Sequence, residues 1–166
     1  KMFGTASQNK HNILTDLGAI PIDYRTQGFV EVIHQEEPDG LDFVFEGMGG
    51  EYSDRALAVL RRGGKLVTYA APTGLGALVL GLLKLIFFNL LPNGKTIEFY
   101  GITTLYMRNK KPFMEDLPLL FNLHEEGKIK PVISAKFPIL EARKANEMLE
   151  GGQVTGNVVL IAPELL

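Results

Sequence analysis

Cysteine is absent from this sequence and histidine is rare. Without cysteine there is no disulfide and no thiolate metal site, which is compatible with a reducing compartment, and we expect a cytoplasmic protein. The three histidines, His11, His34 and His124, are far apart and lack the short spacing of metal ligands. We therefore expect surface or edge histidines and no metal site.

The chain also lacks a charge excess and a signal peptide. Its formal net charge of -2 gives no long-range attraction to nucleic acid, and a membrane partner is not expected. No basic-then-apolar leader stands at the start. The chain begins instead inside a predicted strand, so we expect a sequence shortened at its N-terminus. Its 166 residues suit one domain, or one domain with a remnant of another.

Several nucleophile, metal and phosphate motifs are missing as well. There is no GxSxG, no paired-histidine metal motif and no GxxxxGK[ST]. Gly74 and Gly76 follow a predicted strand, but the third glycine is Gly81, and this spacing departs from the GxGxxG fingerprint. These absences argue against the enzyme classes that depend on those motifs.

What the sequence does contain is an alternation of short apolar strands and amphipathic helices. Strands are predicted over residues 1–5, 19–23, 41–45, 65–70 and 96–103, and helices over 8–17, 29–35, 52–62, 75–91 and 113–126. Pro118 should start the last of these helices late or kink it. The alternation predicts an α/β fold with a parallel sheet covered on both faces. A strand-helix-strand tail over 132–137, 140–149 and 157–161 could belong to a second domain.

The first candidate site lies at residues 4–10, where small residues end a strand and a helix begins. Ser7 and Lys10 bring a hydroxyl and an ammonium group to the helix start, which suits a phosphate monoester. An NAD site would favour an acid at this strand end, and none stands between Lys1 and Lys10. The pattern therefore favours a 2'-phosphate, and hence NADP. The alternative is an ordinary N-cap with a solvated lysine.

The second candidate site lies at the next strand end. Tyr24 and Arg25 are candidates because their strand should lie beside the first one in a doubly wound sheet. There they could meet Ser7 and Lys10 around one phosphate. Glycines and alanines at two further strand ends, residues 46–50 and 70–74, leave room for a flat dinucleotide.

The segment 75–91 is apolar except for Lys84 and Asn89. A charge near its middle and the lack of a basic flank argue against a membrane span. We expect a helix buried on several sides, a subunit contact or an apolar substrate wall.

Taken together, these pieces resemble the quinone oxidoreductase and enoyl reductase branch of the medium-chain dehydrogenase/reductase superfamily. The resemblance rests on seven ordered segments: GTASQNKH, LGAIPIDYRT, GLDFVFEGMGGEY, LAVLRRGGKLVTYA, FYGI, EEGKIKP and FPILEARKANEMLEGGQVTGNVVLI. It implies a Rossmann-like doubly wound parallel sheet over residues 1–130. Residues 131–166 would return to a GroES-like catalytic domain.

The resemblance also implies a set of coenzyme-binding residues and no metal ligands. The 2'-phosphate would be bound by Ser7, Lys10 and Tyr24, and the adenosine-side wall formed by Gly47, Met48 and Gly49. The strand end beside the nicotinamide corresponds to Ala70, Ala71 and Pro72, and the segment that holds its carboxamide to Tyr100, Gly101 and Ile102. Asn157 replaces the lysine usual near the end of the family, so we expect no coenzyme contact there.

The family's first strand and glycine-rich loop have no counterpart in this sequence. In the strand order 3-2-1-4-5-6 that strand lies between the second and the fourth, so we expect a gap in the sheet. The apolar segment 75–91 resembles an elaborated variable loop after the fifth strand.

For the intact enzyme, the resemblance implies hydride transfer from NADPH to a small apolar quinone or α,β-unsaturated carbonyl, without zinc chemistry. Two alternatives remain open: a non-catalytic NADP-binding module, and a module that forms a homodimer along the edge of the strand 96–103.

Overall fold

The computed structural model describes residues 1–69, 74–152 and 154–165, which form two compact units, residues 1–109 and residues 110–166. The first unit alternates strands and helices, as the periodicity predicted. In chain order its elements are β1 (Phe3–Ala6), α1 (His11–Asp16), β2 (Ile20–Asp23), α2 (Phe29–Glu36), β3 (Leu41–Glu46), α3 (Glu51–Ala58), β4 (Leu60–Thr68), α4 (Leu75–Leu90), β5 (Thr96–Phe99) and α5 (Ile102–Arg108).

All strand pairs in the first unit are parallel, but they form two sheets and not one. β1 pairs with β2, and β4 lies between β3 and β5 in a separate three-stranded sheet. No ladder joins β1 to β3 within the described residues. In the strand order 3-2-1-4-5-6, a further strand would lie between these two. The predicted α/β class with parallel sheets is therefore confirmed, with the sheet interrupted at the expected place.

Two apolar clusters hold the first unit together. Ile22, Ile33 and Val59 are buried in one cluster, with Phe3 and Leu41 packed against them. The cluster thus contains residues of both sheets and of α2. Burial of each such side chain stabilises a fold by about 1.5–3 kcal/mol. A second cluster, on the three-stranded sheet, consists of Ala56, Leu57, Leu60 and Leu66.

The predicted boundary between the third helix and the fourth strand is wrong. α3 ends at Ala58, and β4 already begins at Leu60. The pair Gly63-Gly64, which follows the helix predicted over 52–62, lies inside the strand, where the register against β3 shifts between Leu41 and Phe43. A Cβ at Gly64 would lie 2.7 Å from the carbonyl oxygen of Leu41, so the close backbone approach requires glycine.

Three other boundaries also differ from their predictions. The strand predicted over 96–103 ends at Phe99, because Gly101 is the N-cap of α5 and its carbonyl accepts the Leu105 N–H at 2.9 Å. The first helix starts with a 3-10 turn, Gln8–Lys10, before α1. The helix α6 (Lys111–Glu125) of the second unit starts early, with Pro118 inside it and not at its beginning. Pro118 cannot donate the usual backbone hydrogen bond there.

The apolar helix α4 is not buried on several sides. Its side chains are exposed over much of its length, among them Leu80, Leu82, Leu83, Phe87 and Leu90. Lys84 forms an ion pair with Asp54 of α3 at 2.5 Å. A search of the described helices finds none with the length and apolar character that crossing a bilayer requires.

The second unit contains the predicted strand-helix-strand tail. α6 is followed by β6 (Ile133–Pro138), a 3-10 turn (Ile139–Glu141), α7 (Ala142–Glu150) and β7 (Asn157–Ile161). β6 and β7 pair in parallel, and α7 buries Ala145. The bounds of β7 agree with the prediction.

Candidate functional site

The carboxyl ends of β1 and β2 lie side by side. Their parallel register pairs Ala6 with Asp23, so the residues that follow each strand, Ser7 and Tyr24, leave the sheet at the same level. Ser7 is only 7% exposed, whereas Tyr24 is half exposed. The predicted adjacency of the two strands is confirmed, and it brings together the ends that carry the first two candidate segments.

Ser7 does not act as an ordinary helix cap. Its hydroxyl donates to Oδ1 of Asn9 at 2.6 Å, and it makes no cap bond to a backbone N–H. The Ser7 carbonyl accepts the Lys10 N–H at 2.9 Å, which forms the 3-10 turn and sets Lys10 at its end. Asn9 was not among the candidate residues predicted from the sequence.

A buried acid shapes the turn after β2. The Asp23 carboxylate accepts the Arg25 N–H at 3.0 Å, and the Asp23 N–H donates to the side chain of Gln27 at 3.1 Å. The Arg25 guanidinium lies 5.8 Å from the ring centre of Tyr24. The Asp23 carboxylate is thus used inside the turn, which presents an aromatic ring and a cation at the surface.

A second group of strand ends is aligned across the three-stranded sheet. The register pairs Glu46 with Thr68 and Thr68 with Phe99, so β3, β4 and β5 end at one level. The candidate loop Gly47–Gly49 follows β3, and the candidate residues Tyr100, Gly101 and Ile102 follow β5. The Tyr100 N–H donates to the Thr68 carbonyl at 2.9 Å. Ala70, Ala71 and Pro72, expected beside the nicotinamide, lie outside the described residues.

Glu46 is the buried centre of this edge, and its side chain is only 7% exposed. Its Oε1 accepts the backbone N–H groups of Met48 and Gly49, and its Oε2 accepts the hydroxyls of Ser53 at 2.8 Å and Thr68 at 3.1 Å. Burial by itself raises the pKa of this carboxyl, but the four hydrogen bonds together lower the pKa below its ordinary value. The sequence interpretation placed Glu46 only at the start of a glycine loop.

The backbone of Gly47 is in close contact with an aromatic ring. A Cβ at Gly47 would lie 2.3 Å from Cε2 of Tyr69, and the Tyr69 N–H donates to the Glu46 carbonyl at 3.0 Å. Met48 is exposed, and Gly49 and Gly50 both have positive φ, +72° and +59°. The Tyr69 ring fills the space of a side chain at position 47, and the positive φ angles favour glycine where the loop turns into α3.

The outer edge of β5 is covered by a side chain. The Asn89 amide of α4 donates to the Ile97 carbonyl at 2.9 Å, and its oxygen accepts the Ile97 N–H at 2.9 Å. Asn89 thus replaces a neighbouring strand at this position. The edge expected to extend over 96–103 is four residues long and is capped at Ile97. Glu98 of the same strand pairs with Lys65 at 3.0 Å.

Among the residues that the structure describes, no group of three or more histidine, aspartate or glutamate side chains could hold a metal ion. The fold aligns the ends of β1 and β2, which Ser7 and Tyr24 follow, and it fixes a glycine loop on a buried carboxylate.

Comparisons with known proteins give a consistent family. The family model described as zinc-binding dehydrogenase matches residues 17–160. The synaptic vesicle membrane protein VAT-1 homolog of Danio rerio is 27% identical, over 96% of this chain and 35% of that protein. Prostaglandin reductase-3 of Mus musculus is 37% identical over 49% of this chain and 24% of that protein.

The fold is also found among solved structures. The crystal structure of 2-haloacrylate reductase aligns with a TM-score of 0.72 and 26% identity, over 96% of this chain and 49% of that one. The chain therefore spans less than half the length of each of these three proteins. Because the family model covers most of the chain and the fold agrees, the chain belongs to the zinc-binding dehydrogenase family, within the medium-chain dehydrogenase/reductase superfamily.

Proposed function

We propose that this chain provides the coenzyme-binding part of an NADPH-dependent reductase that transfers hydride to a quinone or to the activated double bond of an α,β-unsaturated carbonyl. The observation that supports the proposal is the parallel register of β1 and β2, which ends both strands at one sheet edge, immediately before Ser7 and Tyr24. Ligands of open parallel sheets bind beyond the carboxyl ends of the strands.

The residues at this edge fit a 2'-phosphate better than a free ribose. Lys10 brings a positive charge to the turn after β1, and Arg25 brings a second one to the turn after β2. A carboxylate that binds the two ribose hydroxyls of NADH would have to be available at the surface. Asp23 is instead buried and bonded within its own turn. Ser7, Lys10 and Tyr24 would therefore bind the phosphate, with Arg25 beside them.

The three-stranded sheet would hold the remainder of the coenzyme. The Gly47–Gly49 loop would pack against the adenosine side, and the backbone of Tyr100, Gly101 and Ile102, together with Ala70, Ala71 and Pro72, would lie along the nicotinamide. NADPH would supply the hydride, while the protein fixes its orientation toward the acceptor. Residues 1–130 would form this domain, and residues 131–166 would belong to the catalytic domain.

The names of the relatives support the acceptor class. A 2-haloacrylate contains a carbon–carbon double bond conjugated to a carboxyl group, and prostaglandin reductase-3 is also named as a reductase. We extend this chemistry to a small apolar enone or quinone. An assay of NADPH oxidation with a panel of quinones and enones tests the proposal, and the absence of turnover with every acceptor would favour a non-catalytic NADP-binding module.

Calorimetric titration of the purified protein with NADPH and with NADH tests the coenzyme site. Lys10→Ala should weaken NADPH binding at least about tenfold, because a lost charge-assisted bond costs about 1.5–3 kcal/mol. NADH binding should change little. Tyr24→Ala should act in the same direction, and Lys65→Ala, at the other sheet, is the matched control. Equal losses for both coenzymes would contradict a 2'-phosphate site at these residues.

A further inference from the structure

Glu46 is buried, and its carboxylate accepts four hydrogen bonds from the surrounding protein. Its two carboxylate oxygens serve different elements: Oε1 accepts two N–H groups of the loop, and Oε2 accepts one hydroxyl from α3 and one from β4. The side chain is almost fully buried. A buried carboxylate is stable only when its oxygens are satisfied in this way.

These hydrogen bonds determine which groups of the loop can contact a ligand. N–H groups in a glycine loop before a helix commonly bind phosphate. Here the N–H groups of Met48 and Gly49 point inward to Glu46, so they are not available to an anion. The loop instead presents the exposed Met48 side chain. Such a surface suits the uncharged adenosine portion of a dinucleotide and not its phosphates.

The opposite side of the loop is fixed by Tyr69. Its ring lies against the Gly47 backbone, and its N–H is bonded to the Glu46 carbonyl. Glu46 therefore ties the loop to the end of β4 through both its main chain and its side chain. Movement of the loop would have to break contacts on both sides.

We propose that Glu46 is a positioning residue of the coenzyme site, whose buried carboxylate folds the Gly47–Gly49 loop into a wall for the adenosine half and keeps the loop N–H groups away from the phosphates. This inference deepens the proposed function and rests on it. Glu46 acts on the coenzyme only through the loop, since its oxygens are occupied within the protein.

Three variants at position 46 separate this role from a general effect on folding. Glu46→Gln has the same shape: its oxygen can accept the two loop N–H groups, and its amide can donate to the hydroxyls of Ser53 and Thr68. Glu46→Ala removes all four bonds, and Glu46→Asp is one methylene shorter. Glu98→Gln is the matched control, because Glu98 is an exposed carboxylate of the same sheet, paired with Lys65.

Calorimetry with NADPH and NADH should show that Glu46→Ala and Glu46→Asp weaken both coenzymes by a similar factor, about tenfold or more, as expected for about 1.4 kcal/mol of lost positioning. Glu46→Gln should restore most of the affinity, and Glu98→Gln should leave it unchanged. The NADPH to NADH preference, which Lys10 and Tyr24 would determine, should be constant across these variants.

Hydrogen exchange of the coenzyme-free protein gives a second readout. The N–H groups of Met48 and Gly49 should lose more protection than the amides of β4 in Glu46→Ala and Glu46→Asp. If wild-type protein binds coenzyme and Glu46→Ala and Glu46→Asp bind it equally well, the inference is overturned and the proposed function stands. If the wild type binds neither coenzyme, the proposed function fails, and this inference fails with it.

Discussion

At the carboxyl ends of β1 and β2, the contacts that shape the candidate site join residues close in sequence, such as Ser7 with Asn9 and Asp23 with Arg25. At the ends of β3, β4 and β5 they join different elements, as when Glu46 accepts the hydroxyl of Thr68, 22 residues away. Local turns can be altered with little effect on the rest of the fold. The long-range contacts of Glu46 couple the loop to the stability of the sheet.

The two sheet edges would therefore have different roles. The first edge would select the coenzyme, because its charged and aromatic groups reach the surface and can change without disturbing a core. The second would determine how well any dinucleotide fits, because its loop is held from within. Substitutions at the first edge should therefore change the preference between NADPH and NADH. Those at the second should change affinity and stability together.

The largest effect is expected from Gly47→Ala. The added methyl group would lie 2.3 Å from the Tyr69 ring, so the loop or the ring must move. Overpacking costs about 1–3 kcal/mol in a core, and we expect the lower end of this range because the Tyr69 side chain is exposed. We expect a lower midpoint in chemical denaturation and weaker binding of both coenzymes in calorimetry, with the preference between them unchanged.

The double variant Gly47→Ala/Tyr69→Ala provides the control for that prediction. Removal of the ring should recover much of the stability, giving a clear interaction energy between the two positions. A loss in the double variant equal to the sum of the two single losses would mean that the contact between Gly47 and Tyr69 does not shape this edge.

A smaller effect should appear on lowering the pH. Burial raises the pKa of Glu46, but the hydrogen bonds from Ser53, Gly49, Met48 and Thr68 outweigh it, and the folded-state pKa is below the ordinary 4.5. The carboxylate therefore contributes stability that is present above the unfolded-state pKa and is lost as the pH falls through the folded-state pKa. The stability advantage of wild type over Glu46→Gln should shrink as the pH falls below the ordinary value.

Denaturant titrations of both proteins across the acidic range measure this difference directly. Lys10→Ala, which leaves Glu46 intact, should keep the wild-type pH dependence. A difference between wild type and Glu46→Gln that stays constant with pH would show that the charge of Glu46 makes no contribution to the second edge.

The sequence was informative where structure depends on local pattern. Alternating apolar residues predicted every strand of both units to within a few residues at one end or both, and β7 without error. It was less informative where the hydrogen bonds of a residue depend on partners far away in the sequence. The hydrogen bonds of Glu46 depend on a loop with two left-handed glycines and on a threonine in another strand. No spacing rule connects those residues.

The same limit explains the errors at β4 and β5. Residues 60–62 continue a helical pattern, but the contact of Leu60 with Leu41 places them in a bulged strand. Residues 100–103 continue a strand pattern, but Gly101 starts a helix. In the first segment a tertiary contact outweighs the helix propensity, and in the second a glycine outweighs the β-propensity.

The smallest effect is expected at Asn89, on the outer edge of β5, and it tests the proposed homodimer. Asn89 uses both its amide N–H and its oxygen on Ile97, where a strand from a second copy would have to pair. Asn89→Ala frees these backbone groups, and exposed edge groups favour pairing with another chain. Light scattering after size exclusion should therefore show a larger dimer fraction for Asn89→Ala than for wild type, by a factor corresponding to about 1 kcal/mol.

Adding Phe99→Lys, which places a charge on the exposed face of the same strand, should reverse the gain. An unchanged dimer fraction in Asn89→Ala would mean that any association of two copies uses a different surface, with the exposed face of α4 the next to be tested.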